Sequence, residues 1–268
     1  MSWLVITDLD GTLLDDDYPY ESAAQALDTL TLEFEDLRLA LASSKTLAEM
    51  ERLAKQSRSH MTLIFENGAG IAESSAAWTG TNDLNLTLLG TPYAEICGVL
   101  HELRHDDPGF AFRGFHEMSR HEVSELTGLD PDAAGLARNR LASEPLLWLG
   151  TTVALERFRE ALAERNLKLE KGGRFHLVTG PGGKRAALDR LLERLARADG
   201  DCPRIIACGD APNDLELIDI ADRALVFPQR NGSYLRGEND RVAHAAGPGP
   251  AEWLEGVRRI LRTAPGAN

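Results

Sequence analysis

Two carboxylates near the start of the chain, Asp8 and Asp10, have the types and spacing to bind a cation or to move a proton. They follow Trp3-Leu4-Val5-Ile6, a short apolar run typical of a buried parallel strand. Because side chains alternate along a strand, both carboxylates point the same way, and Gly11 then allows a sharp turn. Two such carboxylates repel each other unless a cation lies between them or one binds a proton. The alternative is a pair of turn or capping aspartates, which are common at strand ends.

Three further polar clusters follow predicted strands or begin a predicted helix. They are Ser43-Ser44-Lys45, Lys184, and Asp210 with Asn213 and Asp214. Taken singly, each is typical of a turn, a helix cap or a solvated side chain. In open α/β sheets, however, ligands bind at the carboxyl ends of the strands, where all of these clusters are expected to meet. Their joint occurrence therefore favours one shared site.

The chemistry that this set of residues can perform is phosphoryl transfer. Mg²⁺ prefers oxygen ligands, and Asp8 and Asp210 can supply carboxylates, with a backbone carbonyl from Asp10. A carboxylate beside such a cation can attack phosphorus in line, which makes Asp8 the candidate nucleophile. The Ser43 hydroxyl, an amide near Ser44 and the Lys184 ammonium can stabilise the phosphoryl oxygens. Asp10 can protonate the leaving alcohol and then deprotonate the attacking water.

Alternating strands and helices are predicted to position these clusters. Apolar runs predict strands at 37–42, 62–65, 204–208 and 223–227, with helical spacing between them. Thr46 with Glu49 reads as a capping box that opens one of these helices. The pattern predicts an α/β fold with a Rossmann-like parallel sheet.

The middle of the chain lacks this one-to-one alternation and predicts a separate α+β unit inserted into the sheet. We expect a first core segment at 1–83, an inserted cap domain at 84–179 and a second core segment at 180–268.

Composition limits the partners. The chain has 268 residues and a formal net charge of −13, which argues against nucleic acid or an anionic membrane surface as the main partner. The apolar runs are short, and no signal peptide is visible. The three scattered cysteines, Cys97, Cys202 and Cys208, favour a reducing cytoplasm over a disulfide framework.

The order of the motifs resembles the haloacid dehalogenase (HAD) superfamily of phosphatases. The resemblance rests on Asp8-Leu9-Asp10-Gly11-Thr12, the strand-end Ser43, Lys184 and the stretch from Gly209 to Asp214. The size of the insertion, with Glu66-Asn67-Gly68-Ala69, is similar to the Cof or IIB group, which has an α+β cap. Gly183-Lys184-Arg185 departs from the Asp-Lys-Gly that this superfamily often has there.

The resemblance implies Mg²⁺, an aspartyl-phosphate at Asp8, acid/base work by Asp10, and metal binding that involves Asp210 and Asp214. Within the group the chain resembles the mannosyl-3-phosphoglycerate phosphatases, for example at Phe112–Phe115, Ser143–Trp148 and Gly173–His176. It therefore implies a cap that closes over a phosphorylated sugar acid.

The substrate contacts are expected from both domains. The candidates are Ser44, Lys45, Asn67, Gly68, Arg113, Arg174, His176 and Asn213. Arginine suits a bidentate grip on a carboxylate. The alternative is that Arg113 and Arg174 are solvated strand residues. Glucosyl-3-phosphoglycerate, sucrose phosphate or a hexose phosphate remain alternative substrates, a phosphomutase remains an alternative activity, and the oligomeric state is open.

Overall fold

The structure is a computed structural model that describes residues 2–15, 20–74, 78, 84–171, 174–200 and 202–263. Gly173, part of one stretch compared above, lies outside these ranges. Within them, no helix has the length and apolar character needed to cross a membrane.

A large sheet forms the core of the described chain. In sequence order its strands are β1 (Trp3–Thr7), β2 (Leu37–Ala42), β3 (Met61–Phe65), β4 (Gly70–Ser74), β5 (Leu84–Leu88), β10 (Arg204–Gly209), β11 (Arg223–Val226) and β12 (Val242–His244). The spatial order is β12-β11-β10-β1-β2-β3-β4-β5. The six strands from β12 to β3 run parallel, and β4 and β5 extend the edge as an antiparallel hairpin. The predicted Rossmann-like core is therefore confirmed.

A smaller antiparallel sheet forms the cap. Its strands are β6 (Phe112–Gly114), β7 (Ser143–Trp148), β8 (Lys168–Lys171) and β9 (His176–Thr179), in the order β6-β7-β9-β8. The chain enters the cap after β5 and leaves it after β9.

Helices cover both faces of the core sheet and one face of the cap sheet. They are α1 (Tyr20–Glu33), α2 (Leu47–Ala54), α3 (Tyr93–Asp106), α4 (Arg120–Thr127), α5 (Pro131–Ala137), α6 (Thr152–Ala163), α7 (Lys184–Asp199), α8 (Leu215–Ile220) and α9 (Pro250–Thr263). Side chains of α1, α2 and α9 share one core cluster, and those of α7 and α8 share the cluster on the opposite face. In the cap, α3 and α6 pack on the sheet through Ile96, Leu100 and Phe158.

Local sequence signals account for many of the helix ends. Thr46 accepts the Glu49 amide while Glu49 bonds back to the Thr46 amide, so the predicted capping box is present. Ser119 and Glu122 form a second capping box at the start of α4. Gly128 ends α4 in the left-handed conformation, and Pro131 occupies the first turn of α5 after the cap residue Asp130.

The predicted start of the insertion at residue 84 is wrong by one strand. Leu84–Leu88 pairs with β4 in the core sheet, so the cap begins after residue 88. β5 alternates apolar and polar residues and is almost wholly exposed, so its sequence has no continuous apolar run that would assign it to the core sheet.

Candidate active site

The carboxylate of Asp8 and the ammonium of Lys184 meet at the carboxyl edge of the central strands. Asp8 directly follows β1, and its amide donates to the Cys208 carbonyl of β10 at 2.9 Å. Lys184 begins α7, and its Nζ donates to Asp8 Oδ1 at 2.6 Å and to Asp214 Oδ1 at 2.7 Å. All three side chains are buried. Lys184 therefore links the candidate nucleophile to the acidic loop.

The loop after β10 is fixed by hydrogen bonds between the Asp214 side chain and the loop's own backbone. Asp214 Oδ2 accepts the amides of Ala211 at 3.1 Å and Asp210 at 3.3 Å. Thr12 Oγ1 donates to Asp210 Oδ1 at 3.3 Å. Gly11 lies so close that a Cβ there would be 2.7 Å from Asp210 Oδ2, and its φ is +77°. Glycine at position 11 thus lets the Asp8 loop and the Asp210 loop approach each other.

Burial and neighbouring charges shift the pKa values of Asp8, Asp210 and Lys184. Burial raises the pKa of Asp8 to about 7; the Lys184 ammonium opposes this shift and the Asp214 carboxylate adds to it. Burial and the Asp214 charge raise the pKa of Asp210 to about 6. Burial alone would lower the pKa of Lys184, but Asp8 and Asp214 hold it above its ordinary value. The three carboxylates of the cluster therefore share only one neutralising cation, Lys184.

The acidic cluster fits a hard divalent cation. Asp8, Asp210 and Asp214 each offer a carboxylate oxygen, and the three ligand atoms lie within 4.8 Å of one another. Three carboxylates face a single ammonium. Burial raises the pKa values of Asp8 and Asp210, the Asp214 charge adds to the shift, and a bound cation would offset both effects. These three side chains are the ones that would hold it.

Asp10 differs from Asp8 in exposure. Its side chain is 59% exposed and pairs with Lys45, with Nζ 2.9 Å from Asp10 Oδ1. Burial alone would lower the pKa of Lys45, but the Asp10 charge raises it. Asp10 thus lies at the solvent side of the site, where Lys45 pairs with it.

Ser43 and Ser44 follow β2 at the same edge. Ser43 is buried, its amide donates to the Ile64 carbonyl at 3.0 Å, and its Oγ accepts the Lys45 amide at 3.3 Å. Ser44 lies on the wall of the cavity described next.

A cavity of about 510 Å³ lies between the core and the cap. The core contributes polar side chains, namely Asp10, Ser44, Lys45, Asn67 and Asn213. The cap contributes Phe115, Arg140, Glu170, Phe175, His176 and others. Another cavity, of about 440 Å³, lies around the amino ends of β1 to β3, beside Leu4, Leu37 and Met61, away from the acidic cluster. The interdomain cavity is the larger of the two, and its polar wall next to the loops of the acidic cluster makes it the candidate site.

The turn after β3 connects the core to the cap. Asn67 Nδ2 donates to Glu170 of the cap at 3.3 Å, and Asn213 Nδ2 donates to Asn67 Oδ1 at 3.1 Å. Glu66 and Asn67 both have positive φ, at 49° and 57°. At Gly68, where φ is +90°, a Cβ would be 2.2 Å from the Gly183 carbonyl oxygen. Gly68 thus packs against the segment that leads into Lys184.

Two of the cap arginines predicted to bind substrate are outside the cavity wall. Arg113 pairs with Glu122 at 2.8 Å, and Arg174 donates to the Leu126 carbonyl. Neither is among the residues that line the cavity, so this prediction is corrected. Each lies in a strand or turn whose nearest acceptors belong to the cap itself. His176 does line the cavity, and its Nδ1 is buried without a hydrogen-bond partner among the described residues.

Sequence reasoning missed Arg140, and it used Glu66 only as part of a turn and of the stretch from Glu66 to Ala69 that resembles the Cof group. Arg140 lines the cavity, and Glu66 accepts hydrogen bonds from the cap. The only available signal was Glu66 itself, an acidic residue within a turn; the loop position of Arg140 carried none.

A second group of metal-ligand side chains lies on the helix side of the cap sheet. Atoms of Cys97, His116 and Glu144 lie within 4.8 Å of one another. Glu144 already accepts the His116 amide at 3.0 Å, His116 Nδ1 at 2.7 Å and the Tyr93 hydroxyl at 2.8 Å. Hydrogen bonds therefore account for this group.

Comparisons with known proteins agree with the fold. The sequence profile of the haloacid dehalogenase-like hydrolases matches residues 5–88. A haloacid dehalogenase-like hydrolase from Bacteroides thetaiotaomicron is 19% identical with a TM-score of 0.62, covering 97% of this chain and 100% of its own. A sucrose-phosphatase from Synechocystis, solved with sucrose and phosphate, is 16% identical with a TM-score of 0.60, covering 97% and 98%.

A third similar structure, from a study of phosphatases of the haloalkanoate superfamily, is a Bacteroides thetaiotaomicron protein with 14% identity and a TM-score of 0.63, covering 97% and 95%. The resemblance first seen in the motifs is thus confirmed. The chain resembles the haloacid dehalogenase-like hydrolases in sequence over residues 5–88 and in fold over nearly its whole length.

Proposed function

We propose that the protein is a Mg²⁺-dependent phosphatase that hydrolyses a phosphorylated sugar acid, with mannosyl-3-phosphoglycerate as the first candidate. The observation that carries the proposal is the buried Asp8 carboxylate, held by Lys184 beside two further carboxylates. Asp10 and Asn213, from the same two loops, line the cavity between the core and the cap. The family profile and the similar phosphatase structures support the reaction class.

The residues divide the reaction into two displacements. An Asp8 carboxylate oxygen attacks phosphorus as the bond from phosphorus to the ester oxygen breaks, which forms an aspartyl-phosphate. Asp10 gives its proton to the departing alkoxide of the substrate, which for mannosyl-3-phosphoglycerate is that of the glycerate. Asp10 then accepts a proton from water as that water attacks phosphorus, which releases inorganic phosphate and restores the Asp8 carboxylate.

Positive charge and hydrogen-bond donors stabilise the transferring group. Lys184 is already within hydrogen-bond distance of Asp8, and the Ser43 hydroxyl and Ser44 amide lie on the neighbouring strand end. A bound Mg²⁺, held by Asp8, Asp210 and Asp214 with the Asp10 carbonyl, would supply further neutralisation of negative charge.

The walls of the cavity support a sugar acid as substrate. Phe115 and Phe175 pack edge to face, with ring centroids 5.0 Å apart, and present apolar surface to the cavity. Glu170 and Asn67 offer hydrogen-bonding groups for sugar hydroxyls, and Arg140 offers a cation. The formal net charge of −13 supports a small molecule rather than nucleic acid as the ligand.

The test is a panel of phosphate esters compared by kcat/KM, with and without EDTA. We expect activity on p-nitrophenyl phosphate that EDTA removes and Mg²⁺ restores, and the highest kcat/KM for mannosyl-3-phosphoglycerate. Glucosyl-3-phosphoglycerate, sucrose 6-phosphate and a hexose phosphate test the alternatives. Full activity in excess EDTA contradicts the metal assignment. A low rank for mannosyl-3-phosphoglycerate contradicts the substrate and leaves the reaction class intact.

A phosphomutase is the second candidate activity, because the same carboxylate pair could return phosphate to another hydroxyl. Product analysis separates the two: a phosphatase releases inorganic phosphate in step with substrate loss, whereas a mutase yields an isomeric sugar phosphate.

A further inference from the structure

The cap segment 140–143 packs against a buried carboxylate of the core, that of Glu66. Glu66 Oε1 accepts the Leu141 amide at 2.8 Å, and Oε2 accepts the Ala142 amide at 3.0 Å and the Ser143 hydroxyl at 2.6 Å. Glu66 is fully buried, and no lysine, arginine or histidine of the described chain lies within 4.0 Å of its carboxylate. The cap thus supplies the donors that stabilise this charge.

Arg140, the first residue of this segment, brings a guanidinium to the boundary between the two domains. Its Nη1 donates to the Ser44 carbonyl of the core at 3.2 Å and to Ser143 Oγ at 3.2 Å, and its Nε donates to the Ala137 carbonyl at 2.9 Å. Within the described residues these contacts leave Nη2 without a protein acceptor. The side chain lines the cavity beside Ser44. The Ser43 hydroxyl and the Ser44 amide are the candidate hydrogen-bond donors to the phosphate of the substrate.

Arg140 differs from Lys45, the other cation beside Ser44, in how its charge is compensated. Lys45 is paired with Asp10. Lys171 also lines the cavity, but it is an exposed residue at the end of β8, next to His176 rather than Ser44. No carboxylate of the described chain lies within 4.0 Å of the Arg140 guanidinium, and all three groups that it contacts are neutral oxygens.

We propose that Arg140 binds the carboxylate of the sugar-acid substrate, and that Glu66 is a positioning residue that holds Arg140 over the site when the cap is docked. The proposal rests on the proposed phosphatase function and deepens it. A guanidinium offers a planar fork that matches a carboxylate, and its position next to Ser44 suits an acid group close to the transferred phosphate. The substrate would then complete a charge pair that the protein leaves open.

The decisive experiment compares Arg140→Gln with wild type on two substrates, mannosyl-3-phosphoglycerate and its carboxamide, which differ only in the carboxylate. Wild type is expected to prefer the carboxylate form, and the variant is expected to lose about 100-fold of that preference in kcat/KM, the size of one charge-assisted hydrogen-bonding pair. Arg140→Lys, which keeps the charge without the fork, is expected to retain part of the preference.

Arg174→Gln is the matched control, because Arg174 is also a cap arginine but does not line the cavity. It is expected to keep the preference within about twofold, as surface changes usually do. If Arg140→Gln fails to fold, the same ratio measured for Arg140→Lys decides the question.

Glu66→Gln tests the positioning role. The amide replaces one acceptor oxygen with a donor that faces an N–H or O–H of the cap, so docking is weakened. We expect a rise in KM that is larger for the carboxylate substrate than for p-nitrophenyl phosphate. We also expect a much smaller effect of Arg140→Gln in the Glu66→Gln background than in wild type.

The two proposals fail in different ways. Wild type without hydrolysis of any phosphate ester overturns the phosphatase function. Wild type that hydrolyses esters without preferring the carboxylate form, or Arg140→Gln that loses the same factor on both substrates, overturns the role of Arg140 alone. Additive effects of the two substitutions overturn the positioning role of Glu66.

Discussion

The core and the cap line one cavity, but they treat charge differently. In the core, Lys184 is bonded to Asp8 and Asp214, and Lys45 is bonded to Asp10, so each cation has a carboxylate partner before any ligand arrives. In the cap, Arg140 contacts only neutral oxygens. Groups that perform a reaction gain from being fixed in advance, because no reorganisation is then needed in the transition state. A charged group that selects a substrate gains from having no partner in the protein, because the substrate then supplies the opposite charge.

The largest effect is expected at the most firmly fixed group of the core. Asp8→Asn removes the nucleophilic carboxylate and should lower kcat on p-nitrophenyl phosphate by at least about 10³-fold. Asp219→Asn, which changes an exposed carboxylate paired with Arg236, is the control and should keep activity. Hydrolysis by the Asp8 variant at a rate near wild type would exclude the covalent route.

Replacing Lys184 tests how strongly the fixed charges of the core contribute to the free energy of unfolding. Lys184→Met leaves Asp8 and Asp214 buried without their cation, and we expect a loss of about 3–5 kcal/mol in the free energy of unfolding, measured with urea in EDTA. Lys45→Met removes the partner of the exposed Asp10 and should cost less than about 1 kcal/mol. Equal losses for the two variants would mean that burial of an ion pair does not determine the cost of breaking it.

The turn that joins the two regions should respond to added volume. Gly68→Ala puts a methyl group against the Gly183 carbonyl at a position with φ of +90°, so we expect a loss of about 3 kcal/mol in unfolding free energy. Gly237→Ala is the control, because a Cβ there meets no atom within 4 Å. A neutral effect at position 68 would show that the segment before Lys184 can move aside.

The smallest effect is expected from His116 of the cap, which is paired with Glu144. The hydrogen bond to Glu144 raises the pKa of His116, while burial opposes the shift, and Glu117 and Arg104 act on it with opposite signs. A raised pKa in the folded state adds stability below the ordinary value of about 6.5, and this stability is lost as the pH rises through the folded value. Since His116 is partly exposed, we expect less than about 1 kcal/mol.

The measurement is the Tm of wild type and His116→Gln at pH 5.5 and pH 8.5. The difference between the two proteins should be larger at the lower pH. A difference that grows with rising pH would contradict the assigned direction of the pKa shift.

The same contrast between core and cap explains what the sequence could predict. The core strands at 37–42 and 204–208 and the Thr46 cap were predicted within a residue or so, because apolar runs and capping residues act locally. The acidic cluster could be predicted because parallel strands bring their carboxyl ends to one edge.

Features that depend on contacts between distant segments were not predicted. Arg113 and Arg140 are both cap arginines, and only the packing of segment 140–143 on Glu66 shows which one faces the cavity. β5 and β8 have alternating or polar sequences, and their pairing partners decide that they are strands.

The position of β1 also affects how the protein is made. β1 lies between β2 and β10, and Trp3 pairs with Arg204, so the strand that carries Asp8 is completed by residues that follow the entire cap in sequence. During synthesis a chain emerges from its amino end, and pairings between distant residues form slowly. A growing chain therefore exposes Asp8 long before Lys184, Asp210 and Asp214 exist to hold it. The ability to react is one of the last properties that the nascent protein acquires.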